Sequence, residues 1–488
     1  MTAKPLTTTR AKVGRALTLA CSVAAVGAAT VRAAPSAPPT PPFVQTALSL
    51  TLTVDYERPS VEGTTALTIL NGGGRSETEA PILLNRLMSI RSVTDHDGRV
   101  LKWQSRVSIF EDDPFRQVVA ARVTLAAPLA PGGTVTLRVQ HDGPLVGYTE
   151  TGSLYIKDRI DLAFTILRSD ALAFPVIGVA SDRANRLMRQ DDFRFDARVT
   201  VPAAQVVATG GTFVERTTAG ATATYHFAGD RVPFVNIAIA PYKLTEADGV
   251  RVYALPDDAA RAEPVVEAAR RAIGRLEALY GALPARPQVT VIEIPEGFGS
   301  QASATAGIIL DAGAFCDRAA LPQLYHELSH FWNPRDLDVP SPRWNEGLAT
   351  YLQYRLAREL DGFAGTLAAV ERARSRVCTG EARSRLERTP FVRFGAEGIT
   401  DFSYRVGFLM FTGLETLLGP ERLDAAVREY VQSRIAKGGT TADLMAVTSR
   451  SSNTRAPDAF FRDWMDTSAW VGPVCSAPSF ADALARWK

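Results

Sequence analysis

The sequence carries almost no excess of charge. Lys and Arg number 54 against 52 Asp and Glu, a formal net charge of +2. The charges are mixed along the chain, with no basic run or stripe, so nothing marks a nucleic-acid surface. Apolar stretches are scarce as well. Beyond residue 33 none is long enough to cross a bilayer, which needs roughly 20 apolar residues. Histidine and cysteine are rare, at 5 and 4, so any cluster of them is informative. No internal repeat is present. What is left is an ordinary globular balance, 46% hydrophobic and 22% charged, over 488 residues. That is room for two or three domains.

The first 33 residues read as a cleavable export signal. Lys4, Arg10, Lys12 and Arg15 make a positive start with no acidic residue. Ala16 to Thr30 carries no charge, and Val31-Arg32-Ala33 is a small-residue site of the kind signal peptidase cuts. The apolar part is short for a membrane-spanning helix; an uncleaved anchor is the competing reading. Thr18-Leu19-Ala20, ahead of Cys21, fits a lipidation signal poorly. The chain is therefore expected to be exported, periplasmic or secreted, with no stable membrane insertion after cleavage. Cys316, Cys378 and Cys475 then remain, and an oxidising compartment permits a disulfide. Three single pairings are possible, each leaving one cysteine over. Cys378 with Cys475 is favoured because both lie in loop-like sequence; three free thiols are the alternative.

Ala34 to Pro42 is rich in proline, alanine and serine and reads as a tether. From Phe43 to Asp248 the hydrophobic period is two. Leu48, Leu50, Leu52 and Val54 alternate with polar residues, as do Phe193, Phe195, Ala197, Val199 and Val201. Asn71-Gly72-Gly73-Gly74 and Pro131-Gly132-Gly133 punctuate the runs. Near residue 250 the period changes. Val266, Ala269, Ile273, Leu276 and Tyr280 recur three and four apart, an amphipathic helix. Val289 to Ile294 and Gly307 to Leu310 read as short buried strands, and from Ala319 on nearly everything reads as helix. One helix stops at Gly419-Pro420, and another starts at Thr440 with Asp443 closing a capping box. The expected class is α+β: an N-terminal antiparallel β domain (43–248), a mainly helical domain with a small sheet (249–470) and a C-terminal tail (471–488).

Residues 326 to 330 read His-Glu-Leu-Ser-His. In a helix, positions four apart share a face one turn apart, so His326 and His330 can share a metal. Glu327 points to a neighbouring direction, where it can reach a metal-bound water without binding the metal. Asp317 is a candidate cap for this helix, Leu321 and Leu324 its apolar face, and Asn333-Pro334 its stop. Catalytic zinc takes three protein ligands and keeps one position open. Trp344-Asn345-Glu346-Gly347 supplies the third, because Pro340 and Pro342 break the connection and Glu346 falls in the first turn of a new helix. The expected site is Zn2+ on His326, His330 and Glu346, with Glu327 as general base. His96, His141 and His226 carry no such pattern and read as structural or surface histidines.

With these residues in place, the chain resembles the aminopeptidase N-like family of gluzincin metallopeptidases. The strongest stretch is 289–465, and Val201–Gly211 and Phe234–Tyr242 resemble strands of that family's β domain. The resemblance implies a thermolysin-like catalytic domain and a peptide or protein substrate. Ser403-Tyr404-Arg405-Val406-Gly407 resembles the segment carrying the family's transition-state tyrosine, which gives Tyr404 the role of oxyanion donor. Ala459 to Trp464 resembles the end of the catalytic domain.

Four features depart from the family. The gap between His330 and Glu346, Phe331 to Asn345, is shorter. The segment that should carry the amine-anchoring glutamate reads Gln301-Ala302-Ser303-Ala304-Thr305, without a carboxylate. Ala163 to Ala173 lacks the family's glutamine, and with Lys488 as last residue the large C-terminal helical domain is expected to be missing. An unpaired buried ammonium is costly, so these departures favour an endopeptidase or an unusual end preference. Glu293 and Glu296 are candidate replacements for the anchor. A true aminopeptidase with a displaced anchor, a non-catalytic peptide- or protein-binding module on the same scaffold, and hydrolysis of a non-peptide bond are the competing readings. No sequence feature sets an oligomeric state.

Overall fold

The computed structural model describes residues 40–488 except 146–158, 189–190, 285–287, 296–300, 304–306 and 453–455, with only the backbone of 301–303. The expected export signal, most of the tether, Cys21 and Glu296 lie outside the described residues. Among the described residues no helix is long and apolar enough to cross a membrane.

The amino-terminal half is β-rich. A seven-stranded sheet runs in the order Thr212–Ala219, Thr222–Val232, Phe193–Pro202, Phe43–Asp55, Ser60–Asn71, Thr134–Pro144, Ser89–Thr94. The alternation seen in the sequence is the burial pattern of its centre. Leu48, Leu50, Leu52 and Val54 are buried on one face of their strand, as are Phe195, Ala197 and Val199 on theirs. A second sheet, of four strands, is ordered Trp103–Ile109, Gln117–Leu129, Glu77–Asn85, Val176–Ile177. Three further strands, Val206–Ala208, Asn236–Ala240 and Thr165–Arg168, form a small sheet between this region and the next by sharing residues with a common core. One expectation needs correction. The β region is not wholly antiparallel: Phe43–Asp55 and Phe193–Pro202 pair in parallel, Leu48 opposite Phe195. Alternation reports which face is buried and carries no strand direction. The parallel pair requires a long crossover, here the whole excursion from Asp55 to Phe193.

A five-stranded mixed sheet opens the second half, ordered Lys243–Ala247, Val250–Ala254, Val289–Ile294, Gly307–Asp311, Gln301–Ser303. Its first strand thus precedes residue 248. Val289–Ile294 is buried at every position, as suits a strand with parallel neighbours on both sides. The helix Ala262–Tyr280 packs its Val266, Ala269, Leu276 stripe into the same core and ends at Gly281, whose φ of 89° suits glycine. After Gly313 the chain is helical. Gly419 ends the helix Ser403–Leu418, and Thr440 and Asp443 form the expected capping box. The segment 471–488 packs down: Trp487 is buried and donates its indole N–H to Asp463 at 3.0 Å. Cys378 and Cys475 form a disulfide, and Cys316 is free and exposed. Cys475 lies in the short helix Val471–Ser476, not in a loop.

Candidate metal centre

The motif helix is shorter than its sequence suggests. It spans Pro322–Ser329 and tightens into a 3-10 turn at His330–Trp332. Its N-cap is Leu321, without a side-chain cap bond, and proline begins it. Asp317 instead caps an earlier turn, accepting from Ala319 N at 2.8 Å. Leu324 and Leu328 are buried below, and Asn333 ends the segment. His326 and Glu327 are also buried, at 7% and 6% exposure.

The Glu346 helix, Trp344–Asp361, lies alongside. His326 Nε2 and His330 Nε2 each stand 3.4 Å from Glu346 Oε2. The three side chains offer ligand atoms all within 4.8 Å of one another. The other carboxylate oxygen, Oε1, is held by Arg343 Nη2. Behind the pair, the Asn333 amide lies 2.7 Å from His330 Nδ1. A ring that gives Nε2 to a metal carries its proton on Nδ1, and the Asn333 carboxamide accepts that proton when its oxygen, in place of Nδ2, is turned toward the ring.

Tyr404 reaches this group from the helix Ser403–Leu418. Its ring stacks on His326, with centroids 5.9 Å apart and planes 12° from parallel. Two glycines allow the approach. A Cβ on Gly407 would come within 2.6 Å of Gly347 Cα, so the two helix backbones touch where any side chain would wedge them apart. Buried Ser403 donates to Pro342 O at 2.7 Å and ties the start of this helix to the loop before Glu346.

The electrostatics differ within a few ångströms. Burial pushes the Glu327 carboxyl up to about 7, with His326 opposing and Glu346 reinforcing the shift. Burial works on Glu346 in the same sense, but His330, His326 and Arg343 overcome it and hold that carboxyl well below the usual range. Burial and then Glu346 push the Tyr404 hydroxyl up, so it stays protonated and able to donate.

All five predicted residues, His326, Glu327, His330, Glu346 and Tyr404, line one cleft of 1210 Å³. The β-rich half contributes Asp192, Asp230, Arg231 and Phe234 to the same lining. Glu293 is placed elsewhere: it is buried in its strand and accepts from Leu255 N at 2.6 Å, so it is no amine anchor in this cleft. Sequence reasoning missed Arg343 and Asn333, although each sits three positions from a ligand, a spacing that brings side chains together on a helix. Asp192 and Asp230 had no local signal.

No protein-family model matches the chain, and no curated protein does. Solved structures match. The fold is that of M1 zinc metallopeptidases. An M1 zinc metallopeptidase from Deinococcus radiodurans aligns over 86% of this chain and 93% of its own, with 20% identity and a TM-score of 0.60. A glutamate-to-alanine mutant of an M1 zinc metallopeptidase from that organism, bound to a Tyr-Ser-Ala substrate, aligns over 87% and 94%, with 19% identity and a TM-score of 0.62. A two-domain M1 zinc metallopeptidase mutant bound to L-tryptophan is similar over 86% and 94%, at 20% identity and 0.60.

Proposed function

We propose that the chain is an exported zinc-dependent peptidase, with zinc on His326, His330 and Glu346. The observation that carries this reading is the meeting of both imidazole Nε2 atoms, at 3.4 Å each, on one oxygen of Glu346. Zinc bonds to nitrogen and oxygen of about 2.0–2.1 Å in a tetrahedron put neighbouring ligand atoms about 3.3–3.4 Å apart. The residues therefore fit the ion, and two imidazoles with one carboxylate are a catalytic donor set that leaves a position open. Bound zinc would acidify a water and polarise the scissile carbonyl. Glu327, buried beside His326, takes the proton of the attacking water and delivers it to the leaving amine. Its raised proton affinity suits a group that must both accept and give. Tyr404 donates its hydroxyl to the carbonyl oxygen as negative charge develops there.

The domain reading follows: a signal at 1–33, a tether at 34–42, a β domain at 43–248, a thermolysin-like catalytic domain at 249–470 and a C-terminal segment at 471–488. Export is supported by the N-terminal charge pattern and by the Cys378–Cys475 disulfide, which suits an oxidising compartment. Peptide as substrate is supported by the fold and by the Tyr-Ser-Ala ligand of a structural neighbour. The missing anchoring carboxylate in 301–305 favours cleavage within chains. Asp192 and Asp230 in the cleft lining favour a second reading, an aminopeptidase whose amine anchor is displaced. Cleavage of a peptide mixture, free and N-acetylated, followed by mass spectrometry tests both. Cleavage that disappears in Glu327→Gln is expected. Equal cleavage of acetylated peptides would exclude the aminopeptidase version, and no cleavage of any peptide by wild-type protein would contradict the peptidase reading.

A further inference from the structure

Among the described residues, four other than glycine have positive φ: Leu172, Arg231, Asp248 and Arg343. Arg343, at φ 55° and ψ 38°, directly precedes the Glu346 helix. L residues avoid this left-handed region and persist there only where the surroundings enforce it. Here they do. Arg343 N donates to Ser341 Oγ at 3.0 Å, and the Ser341 hydroxyl bonds Asp336. Arg343 O accepts from Glu346 N at 3.1 Å. The carbonyl just before it, of Pro342, is held by Ser403, the neighbour of Tyr404. The backbone is thus fixed from three directions, and the side chain turns onto Glu346 Oε1, the oxygen left over by the two imidazoles. The Arg343 side chain is still 45% exposed and lines the cleft. Tyr404 lines the same cleft. Glycine would suit this backbone better, so arginine is present for its guanidinium.

We propose that Arg343 is a positioning residue of the metal centre: it takes one oxygen of Glu346 so that the other faces the ion, and it sets a fixed positive charge in the cleft that Tyr404 also lines. The inference rests on the zinc-peptidase reading. A carboxylate held by one oxygen has no rotation left to lose when the other binds metal. Partners of this kind are typically worth about 10–100-fold in metal affinity. The guanidinium also draws charge from Glu346 and so weakens it as a ligand. Orientation must outweigh that loss, which makes the sign of the affinity change a real test. That charge in the cleft would act on the carbonyl oxygen as it becomes negative, and so on kcat more than on KM.

Arg343→Gly separates backbone from side chain. Glycine relaxes the left-handed position, so the Tm of the zinc-free variant should hold or rise. Zinc affinity, measured by chelator competition, should fall about 10–100-fold. In the zinc-saturated variant kcat should fall about 10-fold or more with KM nearly unchanged. Arg343→Lys, with charge but no fork, should recover part of kcat and little affinity. Zinc bound as tightly by Arg343→Gly as by wild type, with unchanged kcat, would overturn the proposal. A large loss of Tm in that variant would also overturn it, by making Arg343 a residue of the fold. Wild-type protein that binds no zinc would sink the peptidase reading and this inference with it, an outcome distinct from an unchanged variant.

Discussion

The cleft draws its lining from two unlike regions. From the helical half come His326, Glu327, His330, Glu346 and Tyr404; both imidazoles meet Glu346, Tyr404 stacks on His326, and Arg343 holds Glu346. From the β-rich half come Asp192, Asp230, Arg231 and Phe234, with Arg231 3.7 Å from Asp192. Interlocked groups hold positions to fractions of an ångström, as bond-breaking requires. On the proposed peptidase reading the helical side does the chemistry and the β side the recognition, so substitutions on the two sides should separate in kcat and KM.

The largest effect is expected on the helical side. Glu327→Gln should lower kcat by about 10²–10⁴-fold, the range general acid–base groups contribute, while elemental analysis finds its zinc unchanged. Tyr404→Phe should lower kcat by about 10²–10³-fold in steady-state assays with KM little moved. A rise in KM with kcat unchanged would move Tyr404 to the recognition side and break the comparison. Gly407→Ala should act through packing. A methyl 2.6 Å from Gly347 Cα must push the helices apart, at a cost of about 1–3 kcal/mol. Thermal unfolding should show the loss, and activity should drop as Tyr404 leaves His326.

Smaller, sharper effects belong to the β side. On the second reading, a displaced amine anchor, Asp192→Asn or Asp230→Asn should raise KM for peptides with a free amino terminus several-fold, about 1 kcal/mol in binding, with kcat nearly constant. An equal rise for acetylated peptides would assign these carboxylates to basic side chains of the substrate instead. The last prediction lies outside the cleft. Burial, then Asp258, pushes the Glu293 carboxyl up to about 8. Its folded value exceeds the unfolded one, so the stability it contributes is full below about pH 4 and is lost as pH rises through about 8. Tm should therefore fall over that window in wild type, and Glu293→Gln should flatten the fall without changing kcat.

The two regions were also unequally legible in the sequence. The clustering of the candidate ligands was readable because helix periodicity places His326 and His330 on one face, and the Pro-flanked restart puts Glu346 in a first turn. Strand faces could be read for the same reason, from alternation at Leu48–Val54 and Phe193–Val201. What alternation cannot carry is direction, hence the missed parallel pairing of Phe43–Asp55 with Phe193–Pro202. Asp317 as a cap failed because a second turn intervenes before Pro322. Asp192 and Asp230 reach the cleft only through tertiary packing, and no spacing in the chain announces that.

Metal content tests the central claim most directly. Wild-type protein and Glu346→Ala should be purified under zinc-replete conditions and their zinc measured by elemental analysis against protein concentration. One zinc per wild-type chain, lost or greatly weakened in Glu346→Ala, is the predicted result. Wild-type protein without zinc, or a variant that binds it as tightly, would contradict the account.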